Sequence, residues 1–112
     1  MQKKILNQKI QPKNDLEYEP ARVNEFCRQW RVSELAFFGS VLREDFRDDS
    51  DIDILITFDP DASWSLFDMV TMQDQLEDIF GREVDLVEKD GLINPFRRRS
   101  ILEEMEIIYA AP

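Results

Sequence analysis

Histidine is absent from this chain, and cysteine occurs once, as Cys27. The first absence excludes imidazole acid–base catalysis and His-ligated zinc. The second excludes an internal disulfide and suits a reducing, cytoplasmic setting. No apolar run reaches membrane-spanning length, and no signal-peptide pattern is present. Basic residues are outnumbered, 14 against 24 acidic ones, for a net charge of -10. That deficit disfavours direct binding of a nucleic-acid backbone, which needs a basic surface. It suits metal-dependent handling of a small nucleotide, or docking to a basic protein, although a solvated acidic surface needs no partner at all. Chemistry on this chain must therefore run on carboxylates, and any metal should be a hard one held by oxygen.

The length of 112 residues fits one small domain with a single core. Residues 1–19 are rich in Lys, Gln and Asn and read as a partly irregular extension, leaving 20–112 as the domain proper. Pro20 suits a first helical position, and Val23, Phe26, Cys27 and Trp30 follow at the spacing of one buried face. Leu35 to Phe38 reads as a central strand ended by Gly39, with a short helix expected from Val41. Ile52 to Phe58 is a second strand, closed by Asp59-Pro60. Ser63 or Ser65 would cap a helix through Phe80, with Leu66, Met69, Val70, Gln73, Leu76 and Phe80 near one face and Gly81 as its stop. Glu83 to Glu88, a helix from Asn94-Pro95 to about Glu104, and a strand over Glu106 to Tyr109 complete the chain. This order predicts an α/β fold, one small mixed β-sheet packed with helices.

Two carboxylates dominate the candidate chemistry. Ser50-Asp51-Ile52-Asp53 opens the second strand ten residues after Ser40. Residues i and i+2 of a strand share a face, so Asp51 and Asp53 stand together while Ile52, Ile54 and Ile56 fill the other side. Like charges placed so repel unless a cation lies between them, and Mg²⁺ favours a few carboxylates completed by substrate phosphates. Asp85 interrupts the apolar strand Val84-Asp85-Leu86-Val87, and a charge there needs a compensating partner. Gly39 and Ser40 can simply end a strand and cap a helix. Beside the Asp pair, they would also bring backbone N–H groups and a hydroxyl to phosphate oxygens. Ser50 could orient Asp51 or touch the nucleotide. Arg97-Arg98-Arg99 reads as a solvated helix face, with an acidic partner surface or a triphosphate as the functional alternative. Trp30 and Trp64 read as core or core-edge residues.

Phe38-Gly39-Ser40, a spacer, and Ser50-Asp51-Ile52-Asp53 before an apolar strand together resemble the signature of the DNA polymerase β superfamily. The resemblance is closest to the minimal nucleotidyltransferases, antitoxin-type partners of HEPN toxins, and covers roughly 20–110. It implies the nucleotidyltransferase fold and places a third acidic residue at Asp85. It also matches Arg43 to the arginine often found after the Gly-Ser pair, where a phosphate or partner contact competes with surface charge pairing. Many members have Gly where Glu44 stands.

A triad of Asp51, Asp53 and Asp85 suits two-metal nucleotidyl transfer with two Mg²⁺ ions and ATP as substrate. Asp85 would share the second ion or act as general base. Larger relatives add domains that hold the acceptor, for which this length leaves no room, so the acceptor is expected to bring its own surface. The resemblance implies such a case: AMP moved from ATP to a tyrosine of a HEPN ribonuclease toxin. The alternatives are a non-catalytic acidic module that masks a toxin, and transfer to a small molecule such as an aminoglycoside. Neither nucleic acid nor membrane is expected as a partner.

Overall fold

The structure, a computed structural model, describes residues 16–43, 47 and 50–112. The extension expected over 1–19 thus falls outside the described residues up to position 15, as does Glu44. Helix α1 (Pro20–Gln29) starts with a proline whose missing N–H costs nothing there, and buries Val23, Phe26 and Cys27. Strand β1 (Val32–Phe38) is three residues longer than the apolar run suggests. Backbone and side-chain hydrogen bonds extend it: Ser33 Oγ donates to Thr57 O at 3.1 Å, and Asp59 N donates to Arg31 O at 3.0 Å. Gly39–Leu42 forms a single 3-10 turn where a short helix was expected.

Strand β2 (Ile52–Phe58) leads into α2 (Leu66–Phe80), whose start is fixed by a capping box. Asp68 N donates to Ser65 Oγ at 3.1 Å, and Ser65 N donates to Asp68 Oδ2 at 2.8 Å. Gly81 ends α2 in the left-handed region at φ 68°, as its position suggests. Strand β3 (Val84–Glu88) follows at once and is pinned to α2 by Val84 N donating to Glu77 Oε2 at 3.0 Å. Helix α3 (Pro95–Glu104) is capped by Asn94, and β4 (Glu106–Ala110) closes the described chain.

The four strands lie in the order β3-β2-β1-β4. β1 is antiparallel to both β2 and β4, while β2 and β3 are parallel, joined by the α2 crossover that a parallel pair requires. The expected mixed sheet is present. Alternation on β2 divides the core: Ile52, Ile54 and Ile56 pack under α1 and α2 with Phe37, Met72 and Leu76. Leu55 faces the other way, joining Phe38, Ala36, Leu92 and Ile101 under α3.

The buried face of α2 is rotated from the expected one. Met72, Leu76 and Phe80 are buried, whereas Leu66 is 80 % and Val70 55 % exposed. The sheet contacts the stripe through Met69, Met72 and Leu76, and Leu66 and Val70 lie to one side of it. Trp30 and Trp64 sit edge to face with ring centres 5.1 Å apart. Their indole N–H groups donate to Gln75 Oε1 and Trp30 O, which assigns both to the core and its margin.

Candidate active site

The antiparallel register places Phe38 opposite Asp53, and the parallel register places Asp53 opposite Asp85. Phe38, Asp53 and Asp85 thus form one row across three strands, on the face covered by α3. Asp51 precedes β2 by one residue and shares the parity of Asp53, so both carboxylates lie toward that face. Asp53 is half-buried, while Asp51 and Asp85 are exposed.

The Asp53 carboxyl is held above its ordinary pKa. Burial is the largest cause, followed by the negative charges of Asp85 and Asp51, and by a hydrogen bond in which a protonated Asp53 donates to Asp85. The Arg97 guanidinium pulls in the opposite direction. Negative charge is therefore gathered around Asp53 with only Arg97, among the described residues, to offset it.

Gly39 meets this row from the end of β1. Its φ of 75° lies in the left-handed region, and a Cβ there would collide with Asp53 Oδ2. The backbone conformation favours glycine, and any side chain there would have to push the Asp53 carboxylate aside. Ser40 is half-buried in the same 3-10 turn, where Arg43 N donates to Ser40 O at 2.9 Å. The Gly-Ser pair and the carboxylates are thereby brought to one end of the sheet.

The other residues singled out in the sequence lie as follows. Ser50 Oγ accepts from Arg47 N at 3.0 Å, so its hydroxyl braces the loop before β2. The Arg43 guanidinium lies 3.8 Å from Glu104, at the rim of a cleft that also borders Gly39 and Glu106. Of the arginine run, Arg98 donates to Lys89 O at 2.9 Å and Arg99 pairs with Glu103 at 3.1 Å. Two further residues support the site, of which the sequence marks only Asn94, as the start of a helix. Arg82 Nη1 donates to Arg47 O at 2.6 Å and Ser50 O at 3.4 Å, tying the turn before β3 to the loop that delivers Asp51. Asn94 Oδ1 accepts from Phe96 N and Arg97 N, both at 3.0 Å, which fixes the first turn of α3 beside the row.

The donor set is all oxygen, which suits Mg²⁺ and excludes a soft metal. Among the described residues, no three acidic or cysteine side chains form a group that could hold an ion by themselves. Paired carboxylates with a glycine cradle beside them fit an ion whose shell is completed by phosphate oxygens and water.

Comparison with known proteins bears on the fold and the family. The nucleotidyltransferase domain family matches residues 22–108. The protein adenylyltransferase MntA of Thermococcus cleftensis is 36 % identical over 72 residues, covering 64 % of this chain and 71 % of its own length. A solved chain assigned as a minimal nucleotidyltransferase superposes with a TM-score of 0.63 at 31 % identity, over 77 % of this chain and 85 % of that one. A toxin–antitoxin structure with AMP-PNP shares the fold, with a TM-score of 0.66 at 15 % identity, over 83 % of this chain and 74 % of that one. With the match spanning nearly all of the described domain, the chain belongs to the nucleotidyltransferase family, among its minimal nucleotidyltransferases.

Proposed function

We propose that this nucleotidyltransferase moves AMP from ATP to a hydroxyl, a tyrosine of a HEPN-type toxin, and so acts as its antitoxin. The observation that carries the reading is Asp53, flanked by Asp85 on the next strand and by a glycine whose added Cβ would press on the Asp53 carboxylate. A site so built brings bare backbone and paired carboxylates to the same point. Phosphate oxygens and a divalent ion need that combination.

Asp51 and Asp53 would hold Mg²⁺ against the triphosphate, and Asp85, exposed beside them, would serve the acceptor. Bound there, the ion would offset charge on the phosphates and lower the pKa of the acceptor hydroxyl. Gly39 leaves room for phosphate oxygens at the backbone, and the Ser40 hydroxyl can donate to them. Asp85 takes the acceptor proton itself as general base, or it would hold a second ion that lowers the hydroxyl's pKa so that the proton passes to solvent. The acceptor oxygen forms a bond to the α-phosphorus, the bond from that phosphorus to the bridging oxygen breaks, and pyrophosphate leaves.

The acceptor assignment rests on the relatives. MntA of T. cleftensis is named a protein adenylyltransferase, and the AMP-PNP structure is of a toxin–antitoxin assembly. The decisive experiment incubates the chain with Mg²⁺, a lysate of its source cells, and ATP labelled at the α- or the γ-phosphate. Asp53→Asn serves as control. A protein band labelled only from α-labelled ATP, and only by the wild type, identifies nucleotidyl transfer and the acceptor's size. No labelled band with a partner still co-purifying would replace this reading with a non-catalytic acidic binding module.

A further inference from the structure

Arg97 occupies a place that a solvated arginine run does not explain. On α3 it lies one turn before Ile101, and residues four apart share a helix face. Ile101 is 5 % exposed and packs with Phe38 and Leu55 on the sheet. Phe38 and Leu55 are the neighbours of Asp53, one across the register and one two residues along β2. The same face of α3, followed one turn toward its start, therefore brings Arg97 over the carboxylate row. The electrostatics agree, since the Arg97 charge acts on Asp53.

Its neighbours in the run are committed elsewhere, Arg98 to the carbonyls of Lys89 and Leu92 and Arg99 to Glu103. Arg97 is exposed and makes no ion pair or hydrogen bond through its side chain among the described residues. Its backbone N–H is anchored on Asn94, so the helical turn is fixed while the guanidinium stays available.

A nucleoside triphosphate approaching three aspartates meets repulsion that a divalent ion offsets only in part. On a chain of net charge -10 a fixed protein cation at that spot has a specific use. Arginine's planar fork can take two phosphate oxygens at once. Deepening the nucleotide-site reading above, and resting on it, we infer that Arg97 is a substrate-binding residue that grips the β- or γ-phosphate of the incoming nucleotide from the first turn of α3.

The test uses the purified full chain, Arg97→Ala and Arg97→Lys, with binding of ATP and of AMP measured calorimetrically in Mg²⁺, and binding of Mn²⁺ alone followed by its paramagnetic resonance signal. Loss of a charge-assisted contact should weaken ATP binding by about 10- to 100-fold in Arg97→Ala. AMP, which lacks the outer phosphates, should bind within about twofold of wild type, and lysine should restore part of the loss. Removing a competing cation should leave Mn²⁺ binding unchanged or tighter. Equal ATP affinity in wild type and Arg97→Ala would overturn the inference and leave the nucleotide site standing. Equal weakening of ATP, AMP and Mn²⁺ would also overturn it, marking Arg97 as structural. Failure of the wild type to bind ATP would remove both.

Discussion

Asp53 and Asp85 stand opposite each other across the parallel pairing of β2 with β3, and Asp53 alone is drawn partly into the protein. Its carboxyl is consequently held above the ordinary range by burial first and by its two acidic neighbours second. The sign of the consequence for stability is fixed. A carboxyl that binds its proton more tightly when folded favours the fold at low pH, and that contribution is lost as pH rises through its folded pKa.

Asp53→Asn should therefore raise the melting temperature of the metal-free protein at neutral pH, by a few degrees, while abolishing transfer. The gain should shrink as pH falls toward and below the ordinary carboxylate range, where the wild-type carboxyl takes up its proton in both states. Thermal melts from pH 3.5 to 8 check this. A mutant less stable than wild type at pH 7 would contradict the assigned electrostatics.

Much of this site could be read from the residues, but its logic could not. The order Gly39-Ser40, then Asp51 and Asp53, then Asp85 is legible because strand alternation is local. Why residue 39 must be glycine is not, since the clash is with Asp53, and only the antiparallel register of β1 with β2 creates it. Arg97 looked solvated because its helix shows little apolar periodicity, and its orientation is set by Ile101 alone among fully buried α3 residues. The true start of β1 was hidden for a similar reason. Ser33 and Glu34 carry no strand signal, and hydrogen bonds to β2 recruit them.

Mg²⁺ with ATP should stabilise the wild type, because ligand that binds only the folded chain adds about 2.7 kcal/mol at roughly 100 times its Kd. Asp53→Asn should show little of this shift, since it removes both charge and ligand capacity. Differential scanning fluorimetry with each component alone and together separates the contributions. Absence of any shift in the wild type at millimolar concentrations would count against a nucleotide site.

Gly39→Ala tests the cradle. The left-handed backbone alone costs a non-glycine residue about 1–2 kcal/mol, and the new methyl must displace the Asp53 carboxylate. Moderate destabilisation with loss of more than about 100-fold in kcat/KM, or about 2.7 kcal/mol in the barrier, is expected. Chemical denaturation and label transfer measured on the same preparation decide it. A variant destabilised but fully active would show that the glycine serves the turn and not the site.

Asn94→Ala addresses the support of α3. Its side chain accepts from Phe96 N and Arg97 N, and losing such a cap costs about 1 kcal/mol of stability. The first turn then frays while Ile101, one turn deeper, stays packed. The expected signature is a small drop in stability with a rise in KM for ATP larger than the fall in kcat, since binding suffers before chemistry. Asn94→Asp and Asn94→Ser, which also cap, should recover stability. Serine should recover KM as well. Aspartate should recover it less, because it adds a negative charge where the triphosphate must pass. Equal KM in all four proteins would detach the α3 N-terminus from nucleotide binding.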